Sequence, residues 1–179
     1  IEHQAAMYEI LVEFDRVCKI LGVQYILFAG TMFAQGALKP VAGASLDKNT
    51  KLPTYWLVQA QKADKDSVKV TLDAKGKSKF VTLAPVKSHL EFFGNQIPFE
   101  KGDEFTLTVK LKGKGKVQLA YFGYKANNGY LYYKTGKVFE LNGTEQTITD
   151  KFTVEDGKEY PVSKIRPSIR IHKDAACDI

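Results

Sequence analysis

The chain has little of what metal and nucleophilic chemistry needs. Its two cysteines, Cys18 and Cys177, are far apart in sequence and match no metal-ligand or redox spacing. Its three histidines, His3, His89 and His172, have no ligand spacing between them, and solvent-facing positions are the simplest reading of all three. No Ser/His/Asp or Cys/His order has local support. Acids are plentiful, but none stands out as the facing carboxyl pair that glycosidase action requires, so enzyme activity is the weaker class. No apolar run reaches the roughly 18 residues of a membrane span. The basic residues number 26 against 20 acidic, a formal net charge of +6, but the lysines are scattered over turns and strand edges and are not clustered with arginine. Such scatter solvates the surface and discourages strand-edge pairing; it does not make a nucleic-acid face. No repeat or low-complexity segment stands out.

What is present is β pattern. Between Asp103 and Lys125, Phe105, Leu107, Val109 and Leu111 alternate with Thr106, Thr108, Lys110 and Lys112, giving one apolar and one polar face. The Lys112–Lys116 stretch, with Gly113 and Gly115, reads as a hairpin turn into a second strand from Val117 to Tyr124. Further strands are expected at 55–59, 67–72, 80–83, 90–93, 130–134, 138–141, 146–154 and 168–172. Turn signals at 73–76, 94–95, 100–102, 127–129, 135–136 and 142–143 separate them. About ten short strands at this spacing favour a two-sheet sandwich or jelly roll. Trp56, the single tryptophan, is expected to be buried.

The first 38 residues differ in character. Met7, Ile10, Leu11, Phe14, Val17, Cys18 and Leu21 recur at helical spacing, and Gly22 is a plausible stop. A short apolar strand, Val23 to Ala29, follows. The apolar stretch from Ile20 to Ala34 ends in small residues, but Glu9, Glu13 and Asp15 precede it where a secretory signal wants a basic region. The organisation expected is a helix–strand extension over 1–38 and a β module over 39–179.

Glu13 to Ala37, EFDRVCKILGVQYILFAGTMFAQGA, resembles the opening of the LicD-like phosphotransferases: helix, Gly-Val-x-Tyr strand, then Gly-Thr. That family follows with a run of aspartates that hold a divalent metal. Here Pro40 leads into Val41-Ala42-Gly43, and the first acid, Asp47, has no acidic partner two residues on. The metal-binding carboxylates are missing, and the activity is not carried over.

A broader resemblance covers residues 40 to 179. LPTYW at 52–56 is followed by IPFEKGDEFTLTVKLKGKG, by KVFELNGTEQTITDKFTV and by the closing KIRPSIRIHKDAACDI. In this order the features resemble the jelly-roll carbohydrate-binding modules of galactose-binding-like fold, often appended to bacterial secreted glycoside hydrolases. The resemblance implies an all-β, two-sheet β-sandwich, here with an N-terminal α-helix plus strand extension. It implies non-catalytic binding of a polysaccharide or oligosaccharide, an extracellular or periplasmic setting, and a glycoside hydrolase domain in a larger parent. It also implies a structural Ca²⁺ held through Asp47 and Asp178. Its motifs are structural and specify fold better than ligand. The alternatives are a LicD-like fragment fused to a β-sandwich and a sandwich that mediates only protein contacts.

The residues suggest where a glycan would bind. Tyr121, Phe122, Tyr124, Tyr130, Tyr132 and Tyr133 fall within thirteen positions. Sugar C–H faces stack on flat rings, and sugar hydroxyls need polar partners. Strand parity sends Tyr130 and Tyr132 one way and Tyr133 the other. Tyr124, Tyr130 and Tyr133 flank the Asn127-Asn128-Gly129 turn and are candidate ligand residues, Tyr124 and Tyr133 as stacking platforms and Asn127 and Asn128 as partners for sugar hydroxyls. On the last long strand Ile165, Ile169 and Ile171 share one parity, so Arg166 and Arg170 are expected to face away from the core and donate to a sugar ring or a uronate carboxylate.

Overall fold

The computed structural model describes residues 28–29, 38–60 and 62–179. The helix expected over the first twenty or so residues lies outside the described residues. Of the strand expected next to it, only Phe28–Ala29 (β1) is described; it pairs in backbone with Phe105 and Glu104. The other strands are β2 (Leu57–Ala60), β3 (Val68–Leu72), β4 (Ser78–Leu83), β5 (Leu90–Phe93), β6 (Ile97–Pro98), β7 (Glu104–Tyr124), β8 (Tyr130–Thr153), β9 (Lys164–Ile171) and β10 (Ala176–Asp178). A single 3-10 turn, Lys62–Ser67, precedes β3.

The Lys112–Lys116 stretch is not a hairpin turn. It lies inside β7, which runs unbroken for 21 residues and pairs along its length with the 24-residue β8. The hairpin turn is instead at residues 125–129. Likewise the expected turns at 135–136 and 142–143 sit within β8, which absorbs three expected strands. Extra residues are accommodated as register shifts, opposite Lys112/Lys114, Gln118/Ala120 and Gly123/Tyr124.

This ribbon makes the two layers. Phe105 and Tyr121 are sixteen residues apart, a separation that would place them about 53 Å apart on a straight strand. Their ring centroids lie 5.3 Å apart, and the Tyr121 hydroxyl donates to the Thr153 carbonyl at 3.1 Å. The ribbon therefore doubles back, and its two halves join different sheets. The later half of β7 pairs with β9, giving the order β2-β5-β9-β7-β8. The earlier half pairs with β10, giving β3-β4-β10-β7-β8. This is the expected all-β sandwich.

The bend falls at the glycines. Gly115 has φ +91°, a left-handed value that side chains disfavour. At Gly113 the edge of β10 passes so close that a Cβ would run into the Ala176 carbonyl and lie 2.6 Å from the Cys177 Cα. Cys177 itself is buried beside this seam, and burial pushes its thiol up to about 12. The core between the layers is supplied by alternate residues: Leu107, Val109 and Leu111 from one half of β7, Val117, Leu119 and Tyr121 from the other, and Ile165, Ile169 and Ile171 from β9. Trp56 is buried as expected. It stacks on Phe92 at 4.5 Å and donates its indole N–H to the Lys39 carbonyl at 2.8 Å.

Gly113→Ala should lower stability by about 2 kcal/mol, because the added methyl meets backbone and not a flexible side chain. Chemical denaturation monitored at the unfolding midpoint checks this; an unchanged midpoint would mean that β10 can move aside freely.

Candidate functional site

The outer face of the first layer gathers side chains from four of its strands, β5, β9, β7 and β8. Directly opposed residues share a face, so the register assigns them. Glu91 on β5 is opposite Arg170 on β9, which is opposite Gln118 on β7. Phe93 is opposite Ser168, which is opposite Ala120. Arg166 is opposite Phe122, which in turn is opposite Tyr133 on β8. On β9 the buried isoleucines take the inner parity, and Arg166 and Arg170 lie on the outer one.

The aromatic rings form a connected patch. Phe122 sits at its centre, 4.6 Å from Tyr133, 5.8 Å from Phe93 and 6.3 Å from Tyr130 between ring centroids. Tyr124 packs edge-on to Tyr130 at 6.3 Å. Tyr130 is 59% exposed. The two arginines are laid against these rings. The Arg166 guanidinium lies 5.2 Å from the Phe93 centroid and 5.4 Å from that of Tyr124, and Arg170 lies 4.8 Å from that of Tyr133.

Beneath the rings is a carboxylate. Glu91 is only 4% exposed, and both of its oxygens are occupied. Oε1 accepts from the Tyr133 hydroxyl and the Arg170 Nε, each at 2.6 Å, and Oε2 accepts from the Ser168 hydroxyl at 2.6 Å. A buried charge so paired is tolerated; removing a partner would leave it uncompensated. Burial, reinforced by the hydrogen bond to Glu91, pushes the Tyr133 phenol far above its usual range. Burial weighs against the charged Arg170, but the Glu91 carboxylate more than offsets it and holds the guanidinium above its ordinary value. His172, at the end of the strand, is bound to the Gln118 carboxamide at 3.0 Å; burial and the Arg170 charge hold its imidazole below the usual range.

Five of the expected residues, Tyr124, Tyr130, Tyr133, Arg166 and Arg170, thus come together on one face. Tyr130 lies on the face opposite to the one that strand parity predicts. Gly123 pairs with Tyr132 and Tyr124 with Tyr130, so Leu131 is an extra residue, and the shift brings Tyr130 to the same face as Tyr133. Tyr132 goes inward, against the Tyr121 ring, with its hydroxyl on the Glu155 carbonyl. Asn127 and Asn128 lie in the adjoining turn and are engaged in building it. The Asn127 carboxamide oxygen accepts from the Gly129 amide at 3.1 Å, and that of Asn128 accepts from the Lys164 ammonium at 2.8 Å. Glu91, Phe93 and Ser168 do not emerge from the sequence reading. The one signal for them is the charged Glu91 inside the otherwise apolar Leu90–Phe93 strand.

Asp47 and Asp178, expected to share a calcium ion, have separate partners. Asp47 Oδ1 accepts from the Asn49 and Thr50 amides at 2.9 and 2.8 Å, which holds its carboxyl below the usual range. Asp178 Oδ1 accepts from the Thr82 hydroxyl at 2.6 Å. Among the described residues no three His, Cys, Asp or Glu gather as metal ligands. A calcium ion here would take most of its six to eight oxygens from backbone and water. A cavity of about 550 Å³ lies beside Asp178, lined by Trp56, Val109 and Ile169 and by the exposed Lys39, Lys110 and Lys112. None of the aromatic or arginine residues of the outer face lines it, so it is separate from that face.

No family model and no curated protein matches the chain. Solved structures do. The enzymatically active domain of tailspike protein 4 from bacteriophage CBA120 matches 76% of the chain with a TM-score of 0.51 and 14% identity. The match spans 20% of the tailspike chain, so it speaks for a shared fold and not for the whole protein's activity. Other structural neighbours are carbohydrate-binding modules. TmCBM61, solved with β-1,4-galactotriose, is 15% identical over 70% of this chain and 83% of its own, with a TM-score of 0.41. A variant of the family 29 module CBM29-2, solved with mannohexaose, is 12% identical over 77% and 87%, also with a TM-score of 0.41.

The approach to Glu91 is fixed by Asp64, a fully buried carboxylate that accepts from the amides of Val86, Lys87 and Ser88 at 2.8 Å each. The Lys87 amide is the largest cause of its pKa lying below the ordinary carboxylate value. A depressed pKa stabilises the fold above the unfolded value near 3.8 and gives that stability up as pH falls through the folded value. Asp64→Asn should lower the melting temperature at pH 7 and flatten its fall below about pH 4. Thermal melts of both proteins across pH check this; parallel curves would mean that the loop is held by other contacts.

Proposed function

We propose that the chain is a non-catalytic glycan-binding module whose ligand lies across the outer face of the first layer. The observation that carries this reading is the connected patch of Phe93, Phe122, Tyr124, Tyr130 and Tyr133, interleaved with Arg166 and Arg170 on a face directed away from the core. Outward-facing sheet residues are ordinarily polar. Rings with hydrogen-bonding groups between them suit a ligand that has apolar faces and hydroxyl edges. Binding without catalysis is favoured by Glu91, whose oxygens are occupied by three donors and are poorly placed to trade a proton with a substrate. On this reading the chain serves as an accessory module of a larger secreted enzyme acting on glycans. The calcium staple at Asp47 and Asp178 stands as a separate proposal: a melting temperature that falls on chelation supports it, and an unchanged one removes it.

The test is affinity electrophoresis in gels containing soluble polysaccharides, both neutral and acidic. The intact protein should be retarded by at least one of them. Tyr124→Ala with Tyr130→Ala should weaken that retardation by roughly thirtyfold, at about 1 kcal/mol per stacked ring, and leave the melting curve nearly unchanged. A folded protein that no glycan retards would favour a sandwich that mediates only protein contacts. Retardation that survives both substitutions would move the site off this face.

A further inference from the structure

We infer that the face selects acidic glycans, with Arg166 pairing to the carboxylate of a uronic acid residue; this rests on the glycan-binding reading above. Glu91 is matched by Arg170 through their ion pair, and the exposed Glu140 on β8 lies opposite Lys116 on β7. Arg166 enters no ion pair among the described residues. Its Nε is buried and has no hydrogen-bond partner. Lys164, two residues earlier on the same parity, adds a second cation, and its ammonium is committed to the neighbouring turn through the Ala126 carbonyl and Asn128.

The guanidinium is also held in place. The guanidinium lies 5.2 and 5.4 Å from the Phe93 and Tyr124 ring centroids, which limits its orientations, and its N–H donors lie in the guanidinium plane. A planar fork of donors fixed beside an exposed ring is complementary to a planar carboxylate carried on a stacked sugar. A neutral sugar would satisfy some of those donors and leave the charge unmatched in a partly dry site.

Each polymer should be tested against its own neutral form. Polygalacturonate, alginate and glucuronoxylan are compared with their carboxyl-reduced counterparts by affinity electrophoresis at pH 7, at low and moderate salt. At least one acidic polymer should bind roughly tenfold more tightly than its reduced form, and the gap should narrow as salt rises. Arg166→Gln should abolish that preference and keep residual binding to the reduced polymer. Arg166→Lys, which retains charge but loses the fork, should fall between the two. Equal binding of acidic and reduced forms by the unaltered protein overturns this inference and leaves glycan binding standing. Binding to no polymer, acidic or neutral, overturns both. A preference for acid that persists in the folded Arg166→Gln protein removes Arg166 from the role.

Discussion

The structure depends on the sharp reversal of one long two-stranded ribbon over a seam that admits no side chain. At Gly113 the β10 backbone occupies the space where a Cβ would stand, and Gly115 takes a left-handed φ beside Ala175. Glycine is weakly favoured inside strands, since it contributes no packing and costs more ordering entropy than other residues. Here that cost is offset by what the reversal allows: β7 contributes to both sheets, and Phe105 and Tyr121 face each other across the core. The binding face follows from the same event. Only the later half of β7 lies beside β9, so only there do Phe122 and Tyr124 come next to Arg166.

A second constraint acts on the face itself. Placing a charged group low in a sheet surface is unfavourable unless its hydrogen-bonding capacity is filled. Glu91 meets that condition with one group from β8 and two from β9. This arrangement fixes the Tyr133 ring and the Arg170 guanidinium relative to each other before any ligand arrives, and preorganisation reduces the ordering cost of binding. In the loop before β5, Asp64 acts in a comparable way by holding the amides that lead into that strand.

Much of this is legible in the residues, and the features that are not share one cause. The alternation of Phe105, Leu107, Val109 and Leu111 marks a strand with a buried face, and the isoleucines of β9 correctly turn Arg166 and Arg170 outward, because period two is a local property. The Lys112–Lys116 stretch reads wrongly because glycines among lysines look the same at a turn and at a bend covered by another strand; β10, which covers it, lies some sixty residues on. Parity alone puts Tyr130 on the wrong face because one extra residue, Leu131, inverts it, and a bulge shows only in the pairing with the partner strand. Phe93 and Ser168 join the face through register with β9 and β5. Non-local pairing of this kind leaves no mark on a single strand's sequence.

The position of Trp56 has an optical consequence. It is the only indole in the chain, it stacks on Phe92 at 4.5 Å, and it is almost wholly buried between the layers, away from the outer face. The binding face is built instead from phenol and phenyl rings. Indole emission therefore reports whether the two sheets are closed on each other, and a ligand stacked on the outer face does not touch the reporting group.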